Sequence, residues 1–177
     1  MFDQYNVNVF GLLRLCKETI PLMRKQNSGV IINISSFLGK IGLPLLTLYN
    51  SSKYAVEGIT DSLRYELSEF NIRVHSIMPG FFDTQFARDN LVTNLNTFDE
   101  KSPYSKTVSN LAPIIVEQIN NGNDPKEVAS IILEIIENEN FLARVTAGEK
   151  AKKFLPMKKE LSDEDFERRV KEYYNIG

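Results

Sequence analysis

Three side chains of different chemistry fall within one short stretch of this 177-residue chain. Ser36 follows an apolar run, "GVIINI" from Gly29 to Ile34. Thirteen residues after Ser36 comes Tyr49, itself four residues ahead of Lys53. On a helix, positions four apart share a face one turn from each other. A free phenol with its pKa near 10 is ionised to about one part in a thousand at pH 7. Lowering that value by about three units takes roughly 4 kcal/mol, and one ammonium about 4 Å away supplies this at an effective dielectric of about 20. Tyr49 and Lys53 are therefore sufficient, in magnitude, for a proton donor and acceptor. Ser36, at a strand end, could hold a substrate oxygen beside them. Taken alone the pair says nothing: with seven tyrosines in the chain, about half of such chains would hold a Tyr-x-x-x-Lys by chance.

The elements that must position these residues are legible from periodicity. Residues 2–25 place Val9, Leu12, Leu13, Cys16, Ile20 and Met23 at helical spacing. Pro21 is expected to kink or end that helix before the turn "QNSG". "VIINI" is continuously apolar and β-branched, as a strand covered on both faces would be. From Thr47 to Phe70 the spacing turns helical, with Ala55, Ile59, Leu63, Leu67 and Phe70 as the buried stripe. The charges at Glu57, Asp61, Arg64 and Glu69 lie off it. "NIRVHSIM" (Asn71 to Met78) reads as a second strand, stopped by Pro79 and Gly80, and Phe141 to Gly148 as a weaker third. Between these, Asp124, Pro125 and Glu127 form a helix start with a capping box. The tail repeats that logic from Ser162, with acids early and bases late.

Strands alternating with helices predict a parallel sheet with right-handed crossovers. The pattern breaks up between Phe81 and Asn123, around Pro103 and Pro113. An irregular insert after a strand's carboxyl end is where open α/β sheets bind ligands. Its apolar members Phe86, Leu91, Leu95, Phe98 and Tyr104 suggest a partly apolar pocket.

Bulk properties narrow the function further. A net charge of −2 with scattered Lys and Arg gives no basic face for nucleic acid. No apolar run approaches a membrane span and no leader pattern opens the chain. The single cysteine, Cys16, reads as a buried structural thiol, and no Cys/His cluster has metal-ligand spacing. A cytoplasmic, metal-free protein is expected.

The combination is more informative than any part. "NVFG" (Asn8 to Gly11) in the first helix, "IINISS" with Ser36, "YNSSK", and "PGFFDT" (Pro79 to Thr84) after the second strand resemble the short-chain dehydrogenase/reductase family. Order, spacing and setting agree from about Phe2 to Gly148. The resemblance implies an α/β fold, a partial Rossmann-like, doubly wound parallel sheet comprising the last three strands with their flanking helices. It implies hydride transfer between NAD or NADP and a carbonyl or alcohol carbon of a small molecule. Tyr49 would be the acid/base, Ser36 would orient the substrate oxygen, and Lys53 would lower the tyrosine pKa and bind the nicotinamide ribose. Asn8 would anchor a proton relay to Lys53. Pro79, Gly80, Phe82 and Thr84 would line the nicotinamide, and Ser36, Phe37 and Phe86 would meet substrate. Phe81, Phe82 and Phe86 could equally be core. The helices bearing Asn8 and Tyr49 would form a homo-oligomer interface.

The family's glycine-rich Gly-x-x-x-Gly-x-Gly turn, its Asn-Asn-Ala-Gly step and the residue that selects NAD or NADP have no counterpart in these 177 residues. The expectation is one incomplete domain over 1–177, with a substrate insert at 85–123 and a helical tail at 151–177. About 100 residues of βα units would precede it, at roughly 30 residues each. The alternative is a cofactor-free, catalytically inactive chain acting at most as an interaction module.

Overall fold

The computed structural model describes residues 2–85 and 99–176. Two compact units make up the chain: Met1–Gly80 with Lys126–Ala147, and Phe81–Pro125 with Gly148–Gly177.

The first unit is built on a three-stranded parallel sheet in the order β1 (Gly29–Ile34), β2 (Ile72–Pro79), β3 (Arg144–Ala147). Parallel neighbours need long crossovers, and the chain supplies helix α3 (Thr47–Leu67) between the first two. Register pairs Ile34 with Ile77 and Met78 with Thr146. The ladder runs on through Ser35 N–H to the Ile77 carbonyl and Gly80 N–H to the Ala147 carbonyl, 2.9 and 2.8 Å. The carboxyl ends of the three strands are thus tied at one edge of the sheet, immediately before Ser36 and at Pro79–Gly80. Ile31, Leu67, Ile72 and Val74 form a core beneath β1 and β2, with Ile20, Met23, Leu63 and Phe70 against it.

Ahead of the sheet runs one continuous helical segment: α1 (Phe2–Tyr5), a π-helical stretch (Asn6–Gly11) and α2 (Leu12–Gln26). Contrary to expectation Pro21 does not end α2. It is exposed, so the lost hydrogen bond costs the core no packing. The helix stops at Asn27, whose left-handed backbone (φ 51°) lets its N–H bond the Arg24 carbonyl, while Ser28 N–H bonds that of Met23.

The buried face of α3 also differs from the apolar stripe. Ser52, Val56, Glu57, Thr60 and Leu67 are buried, whereas Ala55, Ile59 and Leu63 are only half-buried. The reason is polar pairing across the sheet: Asn33 Nδ2 on β1 donates to Thr60 Oγ1 at 2.8 Å, and Thr60 donates to the Val56 carbonyl. Helix α5 (Lys126–Glu137), which completes this unit, starts one residue past Pro125.

The second unit is helical. Helix α4 (Ser105–Asn120) passes straight through Pro113, with Val108, Leu111, Ile115 and Ile119 buried at helical spacing. The expected irregularity is therefore corrected over those residues: Pro113 forgoes one hydrogen bond, and the apolar stripe outweighs it. Helices α6 (Glu149–Glu160) and α7 (Asp163–Tyr174) follow. Ser162 caps α7, its Oγ accepting from Asp165 N–H at 3.1 Å. Phe154, Tyr173 and Tyr174 pack ring on ring, with centroids 4.8–6.3 Å apart. The insert and the tail, separate in sequence, thus share one unit.

Candidate active site

Ser36 enters the site with extended backbone (φ −166°) as the cap of a short 3-10 turn, Phe37–Gly39. Its Oγ accepts from Leu38 N–H at 3.1 Å. That fixes the oxygen beside Tyr49, whose phenol it helps to hold down against the effect of burial. Tyr49 lies in the first turn of α3 and Lys53 one turn on. The Lys53 ammonium donates to the Ile34 carbonyl at 2.9 Å and lies 5.7 Å from the centroid of the Tyr49 ring. The three groups expected from the sequence therefore meet at the carboxyl end of β1.

Their electrostatics depart from expectation. Burial pushes the Tyr49 phenol above its ordinary value, partly offset by the Ser36 hydrogen bond. The expected lowering by Lys53 is not what this arrangement produces. Desolvation of the phenolate outweighs it, and the ammonium is engaged on a carbonyl. Burial likewise pulls Lys53 down to about 8, opposed by the charge of Glu57.

Asn8 is connected to this cluster through one hydroxyl. Its Nδ2 donates to Ser52 Oγ at 3.1 Å, and Ser52 donates to the Tyr49 carbonyl at 2.8 Å. The π-helical stretch carrying Asn8 is held open by Arg14, whose Nη2 reaches the Asn6 carbonyl at 3.0 Å. Such stretches recur at functional sites because they re-aim side chains.

Pro79 and Gly80 sit half-buried where β2 ends. Other expected residues are placed differently. Phe37 is 1% exposed, so its ring has no surface for a substrate and serves the core. Phe82 belongs to the second unit and is buried there. A Cβ at Gly148 (φ +79°) would come within 2.9 Å of its ring. Its neighbours pair with Asn123, Asp83 N–H to the Asn123 carbonyl and Asn123 N–H to that of Phe81. Of the two readings open for Phe82, core packing is the one its ring follows. Thr84 is half-buried in the same unit, and Tyr104 is exposed. Phe86, Leu91, Leu95 and Phe98 lie outside the described residues.

The sequence reading missed Glu57. Its carboxylate is 2% exposed. Ser76 Oγ on β2 donates to Oε1, Arg144 Nε on β3 donates to Oε2 at 2.7 Å, and the Lys40 ammonium stands 3.5 Å from Oε2. Arg144 also pairs with Asp61. Burial alone would raise Glu57, but the hydrogen bonds from Ser76 and Arg144 and the Lys40 charge reverse this and hold it below the usual carboxylate range. The available signal was spacing: Tyr49, Lys53 and Glu57 stand at i, i+4 and i+8 on one face.

A parallel α/β sheet thus gathers a Ser, a Tyr and a Lys at its strand ends. The short chain dehydrogenase family model matches residues 2–94. The chain is similar to 3-ketodihydrosphingosine reductase of Bacteroides thetaiotaomicron, 35% identical over 145 residues, covering 82% of this chain and 53% of that protein. Among solved structures it superposes on a short-chain dehydrogenase from Streptomyces avermitilis with a TM-score of 0.71 at 27% identity, over 97% of this chain and 59% of the other. A short chain dehydrogenase from Burkholderia cenocepacia in complex with NADP shares the fold with a TM-score of 0.66 at 23% identity, over 93% and 56% of the two chains. This chain belongs to the short-chain dehydrogenase/reductase family, and it spans about half the length of the curated relatives it matches.

Proposed function

We infer that this chain carries the catalytic portion of an NAD(P)-dependent oxidoreductase acting on a small carbonyl or alcohol substrate. The observation that carries the reading is the meeting of Ser36, Tyr49 and Lys53 at the end of β1, with the Lys53 ammonium on the Ile34 carbonyl and 5.7 Å from the centre of the Tyr49 ring. The donor set suits the nicotinamide end of a dinucleotide. An ammonium has three N–H donors, and Lys53 commits one to the Ile34 carbonyl, leaving others for a ribose diol. Pro79 and Gly80, at the end of β2, would flank the ring. The nicotinamide, when bound, gives or takes the hydride. Tyr49 gives the substrate oxygen its proton in reduction and takes it in oxidation. A phenol held protonated by burial is ready for the first role. Ser36 holds the same oxygen by hydrogen bond, and Asn8 braces the first turn of α3 through Ser52.

The reading places the protein in the cytoplasm, in keeping with its lone buried thiol. Among the described residues no helix is long and apolar enough to cross a membrane. Val7, Phe10, Leu48 and Tyr54 are exposed on the helices bearing Asn8 and Tyr49, which supports self-association through those faces. A second reading, an inactive interaction module, is favoured by one observation: the 177 residues contain no Gly-x-x-x-Gly-x-Gly turn to cradle a pyrophosphate.

Calorimetric titration separates the two. The chain alone should bind NADH or NADPH no better than about millimolar, near −4 kcal/mol. Fused behind the cofactor-binding half of a relative, it should bind tightly and turn over ketones or alcohols. A fusion that binds cofactor and shows no Tyr49-dependent turnover on a broad carbonyl panel would favour the module.

A further inference from the structure

We propose that Glu57 is a positioning residue for this site: its carboxylate, one helical turn beyond Lys53, fixes α3 where the half-buried ammonium reaches the Ile34 carbonyl and sets the charge that ammonium faces. The proposal deepens the functional reading above and rests on it only for the purpose served.

The geometry comes first. Glu57 is tied to both other strands of the sheet, by Ser76 on β2 and Arg144 on β3, while Lys53 is tied to β1. Side chains one turn apart on α3 therefore span all three strands. Helix and site turn are in close contact at that point. A Cβ at Gly39, in the turn that Ser36 caps, would come within 2.9 Å of the Lys53 carbonyl oxygen and 3.0 Å of Glu57 Cγ. Only a glycine allows the helix to approach so closely.

The charges point the same way. The groups facing Glu57 are Lys40 after the site turn, Arg144 on β3 with its second partner Asp61, Ser76 on β2, and Lys53 on its own helix. A fully buried carboxylate is a costly way to anchor a helix, since apolar replacements of buried ion pairs are often as stable. A charge at this place does what an apolar side chain cannot: it offsets the loss of hydration that drives the Lys53 proton off. Arg144 and Lys40 cancel part of its field, so the effect on Lys53 is a moderate one.

The test reads the proton itself, on this chain and without cofactor. Lysine labelled with 13C at Cε and 15N at Nζ is followed by NMR against pH, with the Lys53 signal assigned by its loss in Lys53→Arg. The Lys53 midpoint should lie about 8. Glu57→Gln should lower it by about one unit, a tenfold loss of proton affinity, while Glu57→Asp restores most of it. Lys40→Gln, at a half-exposed side chain, should raise it by a few tenths of a unit (~0.3) by removing a cation that cancels Glu57. If Glu57→Gln does not fold, the Lys40→Gln shift decides. A midpoint unmoved in Lys40→Gln, or unmoved in folded Glu57→Gln while its thermal stability falls, reduces Glu57 to a structural anchor and overturns the proposal. Failure of the fusion protein to turn over would sink the functional reading and leave these midpoints standing.

Discussion

The two compact units keep their polar groups in opposite places. In the first, Asn33, Ser35, Ser36, Asn50, Ser52, Glu57, Thr60, His75 and Ser76 are all buried. In the second, the buried residues among those described are apolar or aromatic, such as Leu111, Ile115, Phe154, Phe166 and Tyr174. On the surface of α7 its charges form pairs three or four residues apart, such as Arg168 with Asp165 and Lys171 with Glu167. Burying an unpaired polar group costs kilocalories, so most of these groups have specific partners, while Ser35 Oγ, Asn50 Oδ1 and His75 Nε2 have none among the described residues. The first unit accepts that cost around the strand ends where Ser36, Tyr49 and Lys53 meet. The second follows the cheaper rule of apolar inside and charge outside.

The largest effect expected from this contrast is kinetic. In the active fusion, Tyr49→Phe should lower turnover by about 10³-fold, the usual range for a lost acid/base, with cofactor affinity kept within about twofold, a shift of about 0.4 kcal/mol. Steady-state rates and a cofactor titration measured together check it; turnover like that of the parent would end the assignment. Next comes stability. Glu57→Ala strands Arg144 beside Asp61 and leaves Ser76 without its acceptor, which should cost about 3 kcal/mol in urea unfolding. A loss under about 1 kcal/mol would mean that the buried network is no more valuable than a surface pair.

A smaller effect concerns pH. Lys53 has a folded pKa of about 8 against an ordinary 10.5. Below pH 8 both states carry the charge and its burial opposes folding in full. From 8 to 10.5 the unfolded chain binds the proton more than the folded one, so stability should rise with pH. Tyr49 works the other way above pH 10, because its raised value keeps the folded state protonated longer. The slope between pH 8 and 10 should therefore flatten in Lys53→Met, read from unfolding midpoints. The smallest effect should come from the second unit. Arg168→Ala removes exposed pairs to Asp165 and Glu172 and should change stability by less than about 0.5 kcal/mol.

The legible parts of this molecule were the local ones. β1, the start of α3, the α7 cap and the Ser36/Tyr49/Lys53 grouping each depend on residues near one another in sequence. Glu57 was not legible, because its burial is decided by Ser76 and Arg144, which lie 19 and 87 residues away. A charged residue off an apolar stripe is ordinarily solvated, and periodicity has no term for a distant partner. Pro21 and Pro113 misled for the converse reason: tertiary packing sustained helices that local rules would break. Phe37 and Phe82 looked like pocket residues because aromatic side chains serve core and ligand equally well, and only the packing around them decides.

The π-helical stretch at Asn6–Gly11 acts on the phase of the whole amino-terminal helix. An α-helix advances about 100° per residue, and a π turn admits one residue more than an α turn before the ladder resumes. Residues ahead of it, Phe2–Tyr5, are thereby rotated by about 100° relative to those of α2 behind it, where Cys16 is buried. Deleting one residue there, Val7 for instance, would give a more regular helix with better hydrogen bonds. It would also turn Phe2–Tyr5 out of step with α2, so that the opening turn could not keep its place while Asn8 stayed bonded to Ser52 and Cys16 stayed buried. The wide turn is thus a fixed offset between two angular settings, one for the opening turn Phe2–Tyr5 and one for α2.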